Sequence, residues 1–593
     1  MNLEREDLLA CSSSITHRNT LLLLPKERRQ LKQKLVVGDD SGNLVCYQFK
    51  KGEPTLIFQT QTFDEPITCT TVAIDKSGKD ESNIYVSQGQ NVIGLSRKGK
   101  EVSKLNSALA EPIFNIAVDE DRVVYTGCEY IYTSYENGKD VSFFMSNDLI
   151  LCLLVDTISM SSSGVAKEVF LGCKDNCVRV ISESDCIITF QTTSSVTALE
   201  SLHAENSSLL QLKDSKKQVI FGLDDGDVGL FEIDRKTRET SLLWTLGDYK
   251  RVSVSCLRYT NVLLASPTQP VGSGKDEQLV VCREDGRFEV YSFDNKAEEY
   301  VPNLVSSKDV SESIKSVAVG FVNSDFYPAI VIATFSGKIL SFTTEPLSQR
   351  AQDDSYGRSV KTINDENRIK YLRKEIAELQ KKVDKEKEKA KKISRNNLSS
   401  FTAKSNEKNT VSSSSNGQVV MSNLSSEAAD FPLSSKFTFD VSKSAYMLTV
   451  EVQCAIDLVL IRSQVALEVV ESDIGSAVIS VTPAHLLATS SQGEQPYKFL
   501  AAFRCQGSER RFNIGLRPRE GEQGEVSLTV VTNSKEKSAK VVKLALRPLS
   551  LHHRVHEFSE EERKRDRCSV RFTGAHSFFP HYIFLFPLVS VSQ

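Results

Sequence analysis

The stretch QVIFGLDDGDVGLFEI at residues 218–233 decides the fold of this chain. An apolar run leads into the turn Asp225-Gly226, and a second run of alternating apolar residues follows it. Asp-Gly between two β-rich runs supplies the positive φ angle of a tight strand reversal, and alternation places the apolar side chains on one face. The stretch is therefore predicted to be a β-hairpin.

Six further stretches in the first half of the chain repeat this pattern. They begin at Lys34, Asn83, Val123, Glu168, Gln278 and Ala329, and read KLVVGDDSGNLVCYQF, NIYVSQGQNVIGLSRKG, VVYTGCEYIYTSY, EVFLGCKDNCVRVI, QLVVCREDGRFEVYSF and AIVIATFSGKILSF. A lone hairpin cannot bury its apolar face, and a recurrence of about 40 to 60 residues is typical of propeller blades that cover one another. Seven copies predict seven blades. Because Glu129 and Tyr130 replace the Asp-Gly turn in the third copy, counts of six or eight are alternatives.

The overall composition indicates a multidomain protein without general affinity for nucleic acid. Its 593 residues are too many for one hydrophobic core. The formal net charge of −4 gives no general attraction to nucleic acid or to an anionic membrane surface. No apolar run reaches the roughly 20 residues of a membrane-spanning helix, and the first residues show no signal-peptide pattern. The leucine run at residues 21–24 is expected to begin a strand.

The 13 cysteines contain no CxxC pair. Cys46, Cys69, Cys128 and Cys454 fall inside predicted strands. They are interpreted as small buried residues of a protein from a reducing compartment.

A helix is predicted over KTINDENRIKYLRKEIAELQKKVDKEKEKAKK, where Lys, Glu, Leu and Ile dominate and Gly and Pro are missing. Its apolar residues recur at spacings of three and four, the a/d pattern of a coiled coil. These candidate partner-binding residues are Ile369, Leu372, Ile376, Leu379 and Val383. The pattern lasts only about two heptads, so a solvated helix packed on its own domain is the alternative to a pairing helix.

Alternation returns after a segment rich in Ser, Asn and Lys, which cannot bury enough apolar surface to become ordered. The alternating runs are KFTFDVS, YMLTVEVQ, LVLIR, ALEVV, AVISV, YKFLAAFRC, RFNIGLR, EVSLTVVT and VVKLALRP. Such runs without a helical stretch predict an antiparallel β-sandwich of about 110 residues. The predicted fold is thus mainly β. It comprises a seven-bladed β-propeller at 1–347, a coiled coil at 360–393, a flexible linker at 394–430 and an ear-like β-sandwich at 431–550.

No motif for catalysis, nucleotide binding or metal binding is complete. The stretch VGSGKDE has Gln269 and Asp276 where a phosphate-binding loop needs glycine and a hydroxyl residue, so it is interpreted as a surface loop. His552, His553 and His556 lack an accompanying HExxH motif or cysteine pair, and a basic connector is preferred over a zinc site.

Acidic residues in the predicted hairpin turns are interpreted as turn formers. These are Asp39, Asp40, Asp224, Asp225 and Asp227. The spaced D-x-D-x-D-G loop of a calcium site is not present. No catalytic residue, cofactor or metal is assigned, and we expect an interaction protein rather than an enzyme.

Several stretches closely resemble the Bardet-Biedl syndrome 7 protein family, whose members are subunits of a ciliary coat-like complex, the BBSome. They are KLVVGDDSGNLVCYQFKKGEP from Lys34, GLSRKGK from Gly94, VCREDGRFEVYSFDN from Val281, ATFSGKILSFTTEP from Ala333, SAYMLTVEVQCAIDLVLIRSQV from Ser444 and LRPLSLHHRVH from Leu546. The similarity extends to about Gly574, and it implies a seven-bladed propeller and a gamma-adaptin-ear-like sandwich.

The resemblance also implies function and partners. The helix near Ile369 would pair with a helix of a sister subunit, the Bardet-Biedl syndrome 2 protein. The family implies a noncatalytic adaptor that an Arf-like GTPase recruits to membranes and that links membrane-protein cargo to intraflagellar transport. The expected location is the cilium, its basal body, the centrosome region and the cytoplasm, with only peripheral association with the ciliary membrane.

Near its end, the chain departs from the family pattern. Family members continue into a platform domain and a helical tail, whereas here RCSVRFTGAHSFF passes into PHYIFLFPLVSVSQ. Residues 551–593 are therefore expected to be a truncated start of the platform domain with a divergent tail. A truncated isoform, an unspliced end or an incomplete gene model would produce it.

Two functions from other classes are alternatives. One is a propeller-based enzyme or metal-dependent binding protein with a polar pocket at the axial channel. The other is a vesicle-coat subunit that acts outside cilia.

Overall fold

The computed structural model describes most of the two predicted β domains. The described residues are 3–9, 14–26, 32–50, 53–60, 62–73, 82–119, 121–161, 164–202, 216–234, 237–260, 277–293, 301–324, 327–344, 381, 431–440, 443–472, 477–482, 497–505, 509–533, 538–548, 552–554 and 588–590. The chain divides into a larger unit, with residues Arg5–Thr343 and Glu427–Gln593, and a smaller one made mainly of Thr344–Ser426. Of the smaller unit, only residues 3, 4, 344 and 381 are described.

Within the described residues, 28 strands form seven sheets of four strands each. Blade 1 contains β2 (Leu21–Leu23), β3 (Leu35–Gly38), β4 (Leu44–Lys50) and β5 (Glu53–Gln59). Blade 2 contains β6 (Ile67–Ala73), β7 (Asn83–Gln88), β8 (Asn91–Leu95) and β9 (Glu101–Asn106). Blade 3 contains β10 (Asn115–Val118), β11 (Val124–Gly127), β12 (Ile131–Glu136) and β13 (Lys139–Met145). Blade 4 contains β14 (Ile150–Ser161), β15 (Gly164–Cys173), β16 (Cys177–Ser182) and β17 (Asp185–Gln191).

The remaining three blades complete the ring. Blade 5 contains β18 (Val196–Ser201), β19 (Lys216–Leu223), β20 (Val228–Asp234) and β21 (Thr240–Leu246). Blade 6 contains β22 (Val254–Thr260), β23 (Gln278–Arg283), β24 (Arg287–Phe293) and β25 (Pro302–Asp309). Blade 7 contains β26 (Ile314–Gly320), β27 (Ala329–Thr334) and β28 (Ile339–Thr343), and its outer strand is β1 (Glu4–Leu9). Contacts between β2 and β26 join the first blade to the last and close the ring.

The predicted hairpins are confirmed, and each one is the second and third strand of a blade. The prediction of seven blades is therefore correct, and the alternatives of six and eight are excluded. Residues with positive φ lie in six of these turns: Gly42, Gly89, Asn176, Gly226, Gly286 and Gly337. The irregular third turn, with Glu129 and Tyr130, also reverses the chain between β11 and β12. The run at residues 21–24 begins a strand as expected.

The blades bury their apolar faces against each other, as the repeat predicts. One cluster joins Phe170 and Val180 of blade 4 to Phe221 and Phe231 of blade 5. Comparable clusters join blades 5 and 6, 7 and 1, 1 and 2, 2 and 3, and 3 and 4. Burial of apolar surface between adjacent sheets is thus the main stabilising interaction of the ring.

A β-bulge recurs at equivalent places in the blades. In blades 1 to 6 the register shifts between the third and fourth strands, for example between Cys46 and Tyr47 in blade 1. In blades 2, 4, 5, 6 and 7 the register shifts between the first and second strands. A bulge bends its strand and increases the local twist, and here the same distortion recurs from blade to blade.

The second half of the larger unit is a β-sandwich, as predicted. One sheet has the strand order β29 (Leu433–Asp440), β30 (Ala445–Val452), β35 (Arg511–Pro518), β32 (Leu467–Ser472). The other has the order β33 (Ala477–Thr482), β34 (Phe499–Cys505), β31 (Ile456–Ser463), β36 (Gly524–Thr532), β37 (Ala539–Leu546). Both sheets contribute to one core, in which the rings of Phe503 and Phe512 lie 5.1 Å apart.

The prediction that four cysteines are buried is correct for three of them and wrong for the fourth. Cys46, Cys69 and Cys128 are buried free thiols, in agreement with the prediction, but Cys128 directly follows β11 rather than lying inside a strand. The prediction for Cys454 is wrong, because this residue lies between β30 and β31 and is exposed. Apolar and polar residues alternate on both sides of Cys454, so the sequence pattern alone did not reveal the bend between β30 and β31.

Near the end of the chain, β38 (His552–Arg554) pairs with β39 (Leu588–Ser590). His552 and His553 are therefore in a strand rather than in a simple connector, whereas His556 and most of the apolar tail lie outside the described residues. The five candidate coiled-coil residues and the VGSGKDE loop up to Asp276 also lie outside them. Among the described residues, no helix has the length and apolar character needed to cross a membrane.

The turn glycines provide a test of the propeller assignment. Gly42 has φ +75°, and a Cβ atom there would lie 2.5 Å from the Phe63 carbonyl oxygen. We expect Gly42→Ala to destabilise the propeller by about 3 kcal/mol or more, because left-handed strain of about 1–3 kcal/mol adds to a backbone clash. The measurement is the urea unfolding transition.

Gly138 is the matched control for this substitution. Its φ is +77°, but no atom lies within 4 Å of its added Cβ. Gly138→Ala should show the conformational strain alone, on the order of 1 kcal/mol. Equal destabilisation by the two variants would contradict the close approach of the Gly42 turn to Phe63.

Candidate interaction surface

The four-stranded sheet of the sandwich contacts the propeller through charged residues. We call the propeller side of this contact the docking face, defined by Asp224, Glu284, Glu312, Ser313 and Lys315. Asp224 and Glu284 lie in the hairpin turns of blades 5 and 6, Glu312 and Ser313 lie between β25 and β26, and Lys315 lies in β26. The sandwich contributes Lys436 from β29, Glu451 from β30, and Arg510 and Arg511 at the start of β35.

The local fold explains why these turn residues face the same way. Asp224 and Glu284 occupy equivalent positions, directly after the second strand of their blade. The backbone N–H of each donates to the carbonyl that precedes the blade's first strand, at Ser195 and Ser253 respectively. Lys174 in blade 4 has the same backbone hydrogen bond, to Leu149. The repeat thus holds this turn position constant while the side chain varies from blade to blade.

Glu284 is the centre of the contact. Its Oε1 accepts a hydrogen bond from Nη2 of Arg18 at 2.7 Å, and its Oε2 lies 3.2 Å from Nζ of Lys436. The same Lys436 ammonium donates to Oδ1 of Asp224 at 2.8 Å. Arg511 donates to the backbone carbonyl of Glu284. One carboxylate therefore holds a propeller arginine and a sandwich lysine together.

The charge of Glu284 is stabilised strongly. Burial alone raises the pKa of this carboxyl, but the neighbouring cations Lys436, Arg18 and Lys315 outweigh burial and hold its pKa well below the ordinary value. For Lys436, burial lowers the pKa, but Glu284 and Asp224 outweigh it and raise that pKa. Both groups are therefore ionised at neutral pH, and the contact is an ion pair rather than a neutral hydrogen bond.

Three further contacts place the sandwich relative to blade 7. Nη1 of Arg510 lies 3.0 Å from Oε1 of Glu312. Here the sandwich supplies the acid: Glu451 accepts hydrogen bonds from the Ser313 N–H at 2.8 Å and from the Ser313 hydroxyl at 2.6 Å. Nζ of Lys315 lies 3.8 Å from Oε2 of Glu451. Each partner therefore presents both acidic and basic groups.

The turn aspartates have two kinds of role. Asp39 accepts the N–H of Asn43 at 2.9 Å, and Asp225 accepts that of Asp227 at 3.3 Å, as expected of turn formers. The interpretation is incomplete for two others: Asp224 binds Lys436 of the sandwich, and Asp40 lies 2.7 Å from Nε2 of His17. In the described part of the chain, no cluster of three or more potential metal ligands forms.

Sequence reasoning did not identify the docking face. Glu284 and Lys436 are far apart in the chain, and neither is part of a motif. The available signal was an acid at the same turn position in blades 5 and 6, where blade 4 has Lys174 and blade 7 has Phe335. The predicted coiled-coil residues lie outside the described chain, so the structure does not place them relative to this face.

These features define a scaffold of one seven-bladed propeller and one ear-type sandwich. Sequence models of two domains match in the same order: the BBS7 beta-propeller at residues 21–344 and the BBS7 GAE domain at residues 430–544. The chain therefore belongs to the BBS7 family.

Curated relatives agree with this assignment. The chain is 30% identical to "BBSome complex member BBS7" of Mus musculus over 98% of its own length and 72% of the relative. It is 23% identical to "BBSome complex member bbs-7" of Caenorhabditis elegans over 94% of this chain and 69% of the relative. A crystallised BBS1N chain in complex with ARL6DN is 12% identical, with a TM-score of 0.40, and the match covers 58% of this chain and 98% of that one.

Replacing Glu284 by Gln tests the centre of the docking face. The amide keeps the shape but removes the charge that Arg18 and Lys436 share, so that Lys436 keeps only Asp224 as a counter-charge. We expect docking to weaken by about 1–3 kcal/mol, less than for a fully buried pair because both cations are about one-third exposed. The Ser313 amide donates a hydrogen bond to Glu451 across the contact. Its hydrogen-exchange rate is the measurement, and this rate should increase in Glu284→Gln.

Glu525→Gln is the matched control. Glu525 lies 3.0 Å from Lys543, but their side chains are 48% and 70% exposed. Surface pairs of this kind contribute about 0–1 kcal/mol, so Ser313 exchange should not change. Unchanged exchange in Glu284→Gln would show that the ion pair does not hold the sandwich in place.

The acid dependence of stability follows from the same carboxyl groups. Glu284 and Glu312 have pKa values below the ordinary 4.5. Such groups stabilise the fold fully above their ordinary pKa, and this stabilisation is lost as pH falls towards the folded-state value. The difference in unfolding free energy between wild type and Glu284→Gln should therefore narrow below pH 4.5, by at most about 1.4 kcal/mol per pH unit. Urea denaturation at neutral pH and near pH 3.5 measures it, and a constant difference would contradict the ionised Glu284.

Proposed function

We propose that this chain is a noncatalytic subunit of the BBSome, a coat-like adaptor that traffics membrane proteins to and from the cilium with intraflagellar transport. In this role it contributes to the assembly or maintenance of cilia. The observation that supports the proposal best is the 30% identity to a BBSome complex member across 98% of the chain. The propeller and GAE matches, in the same order along the chain, support it independently.

The architecture suits a scaffold. Propellers and sandwiches offer large rigid surfaces, and here their relative placement is held by Glu284, Glu312 and Glu451 rather than by apolar burial alone. Two domains that these contacts hold in one arrangement would present their outer strands to neighbouring subunits with less loss of entropy on assembly. The proposal includes the division of the chain into a propeller at 1–347, a coiled coil at 360–393, a linker at 394–430, a sandwich at 431–550 and the segment 551–593.

The proposed partners are other BBSome subunits. The sister subunit related to the Bardet-Biedl syndrome 2 protein would pair with the helix through Ile369, Leu372, Ile376, Leu379 and Val383. An Arf-like GTPase and ciliary membrane-protein cargo would be reached through the complex. The proposed location is the cilium, its basal body and the centrosome region, the cytoplasm, and the ciliary membrane by peripheral association.

The double variant Leu372→Asp with Leu379→Asp tests the coiled-coil part of the proposal. Burial of each leucine contributes about 1.5–3 kcal/mol, and an aspartate in the seam would add the cost of burying a charge. We expect recovery of the sister subunit by affinity purification from ciliated cells, followed by mass spectrometry, to fall by at least about tenfold, which corresponds to about 1.4 kcal/mol.

Lys374→Asp with Lys381→Asp is the control, because these positions lie on the opposite face of the same heptads. This variant should retain the sister subunit. If the seam variant also retains it, the five residues do not form the pairing surface. If even the unmodified chain recovers no BBSome subunit, the proposed membership itself is wrong.

A further inference from the structure

A pair of buried cysteines lies directly beneath the docking face. Cys256 of β22 and Cys282 of β23 are opposite each other in the strand register. Their residues are 4% and 0% exposed. Opposite residues of an antiparallel pair have Cα atoms about 4.5–5.5 Å apart and side chains on the same face, which is within the range that a disulfide can span.

Both thiols face blade 7. Leu257, Leu279 and Val281 alternate with them and belong to the cluster between blades 5 and 6. Cys282 lies opposite Phe288 in the register, and the Phe288 ring is 4.6 Å from that of Phe342 in blade 7. The two sulfur atoms are therefore neighbours within one interface between blades.

Packing alone does not account for two thiols at this place. In four other blades, the equivalent pair of opposite residues on the first and second strands, just after the bulge, also consists of small residues. The pairs are Cys69 with Ser87, Cys152 with Gly172, Ala198 with Gly222, and Ser316 with Ala333. The propeller requires only that both residues be small, and among these five blades only blade 6 has a cysteine at both positions.

The surroundings make the two thiols chemically unequal. A hydrogen bond from the Cys282 thiol lowers the pKa of Cys256, and the nearby cations Arg18 and Lys315 lower it further. Burial raises the pKa of Cys282. The surroundings therefore favour loss of the proton from Cys256 over loss from Cys282, and the thiolate is the nucleophilic form of cysteine.

We propose that Cys256 and Cys282 form a redox-active dithiol that a hydroperoxide oxidises to a cross-strand disulfide. The Cys256 thiolate attacks the O–O bond, takes one oxygen as a sulfenic acid and releases an alcohol, or water from hydrogen peroxide, after protonation. The Cys282 sulfur then attacks Sγ of Cys256, and the hydroxyl group leaves as water with the Cys282 proton. The two thiols together lose two electrons, and the hydroperoxide gains them. A thiol reductant restores the pair.

The disulfide would join the two innermost strands of blade 6 next to Glu284. It would therefore tie down the strand that ends at the centre of the docking face. Transient disulfides of this kind, rather than permanent ones, are typical of reducing compartments.

The test uses the whole purified chain, reduced and then treated with hydrogen peroxide while circular dichroism shows that it remains folded. Trypsin would release residues 252–258 and 276–283, each with one of the two cysteines. Mass spectrometry should find these two peptides joined, two hydrogens lighter than their sum, and separated again by dithiothreitol. If both peptides instead carry free or only overoxidised thiols while exposed Cys186 is oxidised, the proposal is wrong.

Two variants separate the roles of the two thiols. Cys256→Ser with Cys282→Ala reproduces the Ser316 and Ala333 pair of blade 7, so it should fold and form no joined peptide. Cys282→Ser alone keeps a hydrogen-bond donor beside Cys256 but removes the second sulfur, so Cys256 should remain as a sulfenic acid that dimedone traps. In the folded wild type, Cys256 or Cys282 could instead form a disulfide with another cysteine. If such a product replaces the Cys256–Cys282 disulfide, the proposed pairing is wrong.

Discussion

The closed ring is the constraint on which the rest of the structure depends. A four-stranded blade can bury its apolar faces only against the next blade, so the series must return to its start before the last face is covered. β1 supplies this closure by pairing with β28, and Leu8, Leu21 and Val331 meet in one core cluster where the ends of the ring join. The ring also brings the hairpin turns of blades 5 and 6 beside the connection from blade 6 to blade 7, and these segments form the docking face.

The docking face shows how charge can determine orientation. The propeller presents Glu284 and Glu312 to basic groups of the sandwich, whereas Glu451 of the sandwich meets Ser313 and Lys315 of the propeller. A rotated arrangement would bring charges of like sign together and leave buried groups unpaired. Such contacts contribute more to specificity than to net stability, because desolvation offsets much of the attraction between the charges. Lys315 illustrates that cost, since burial lowers its pKa despite the neighbouring carboxylates.

The sequence predicted local structure well and contacts between distant residues poorly. Each hairpin is specified within about 16 residues by alternation and a turn, so even the irregular turn at Glu129 was assigned correctly, and the nine sandwich strands followed from the same signal. The Glu284–Lys436 pair could not be predicted, because nothing in either segment indicates which distant residue will face it. Cys454 was placed wrongly because alternation continues on both sides of its bend. The cysteine pair in blade 6 became visible only once the register aligned Cys256 with Cys282.

The closure of blade 7 also affects how the protein is synthesised. The strand β1 leaves the ribosome before every other strand of the propeller, yet its partner β28 ends at Thr343. At a synthesis rate of about 5–20 residues per second, roughly 15–70 s pass before the two can pair. During this interval the inner edge of β1 has no strand to bind, and an unpaired edge can pair with other chains. Only the early outer strand must wait in this way, because each later blade can form from consecutive hairpins as it emerges. The nascent chain is therefore most exposed to aggregation, and most dependent on chaperones, until the last blade is complete.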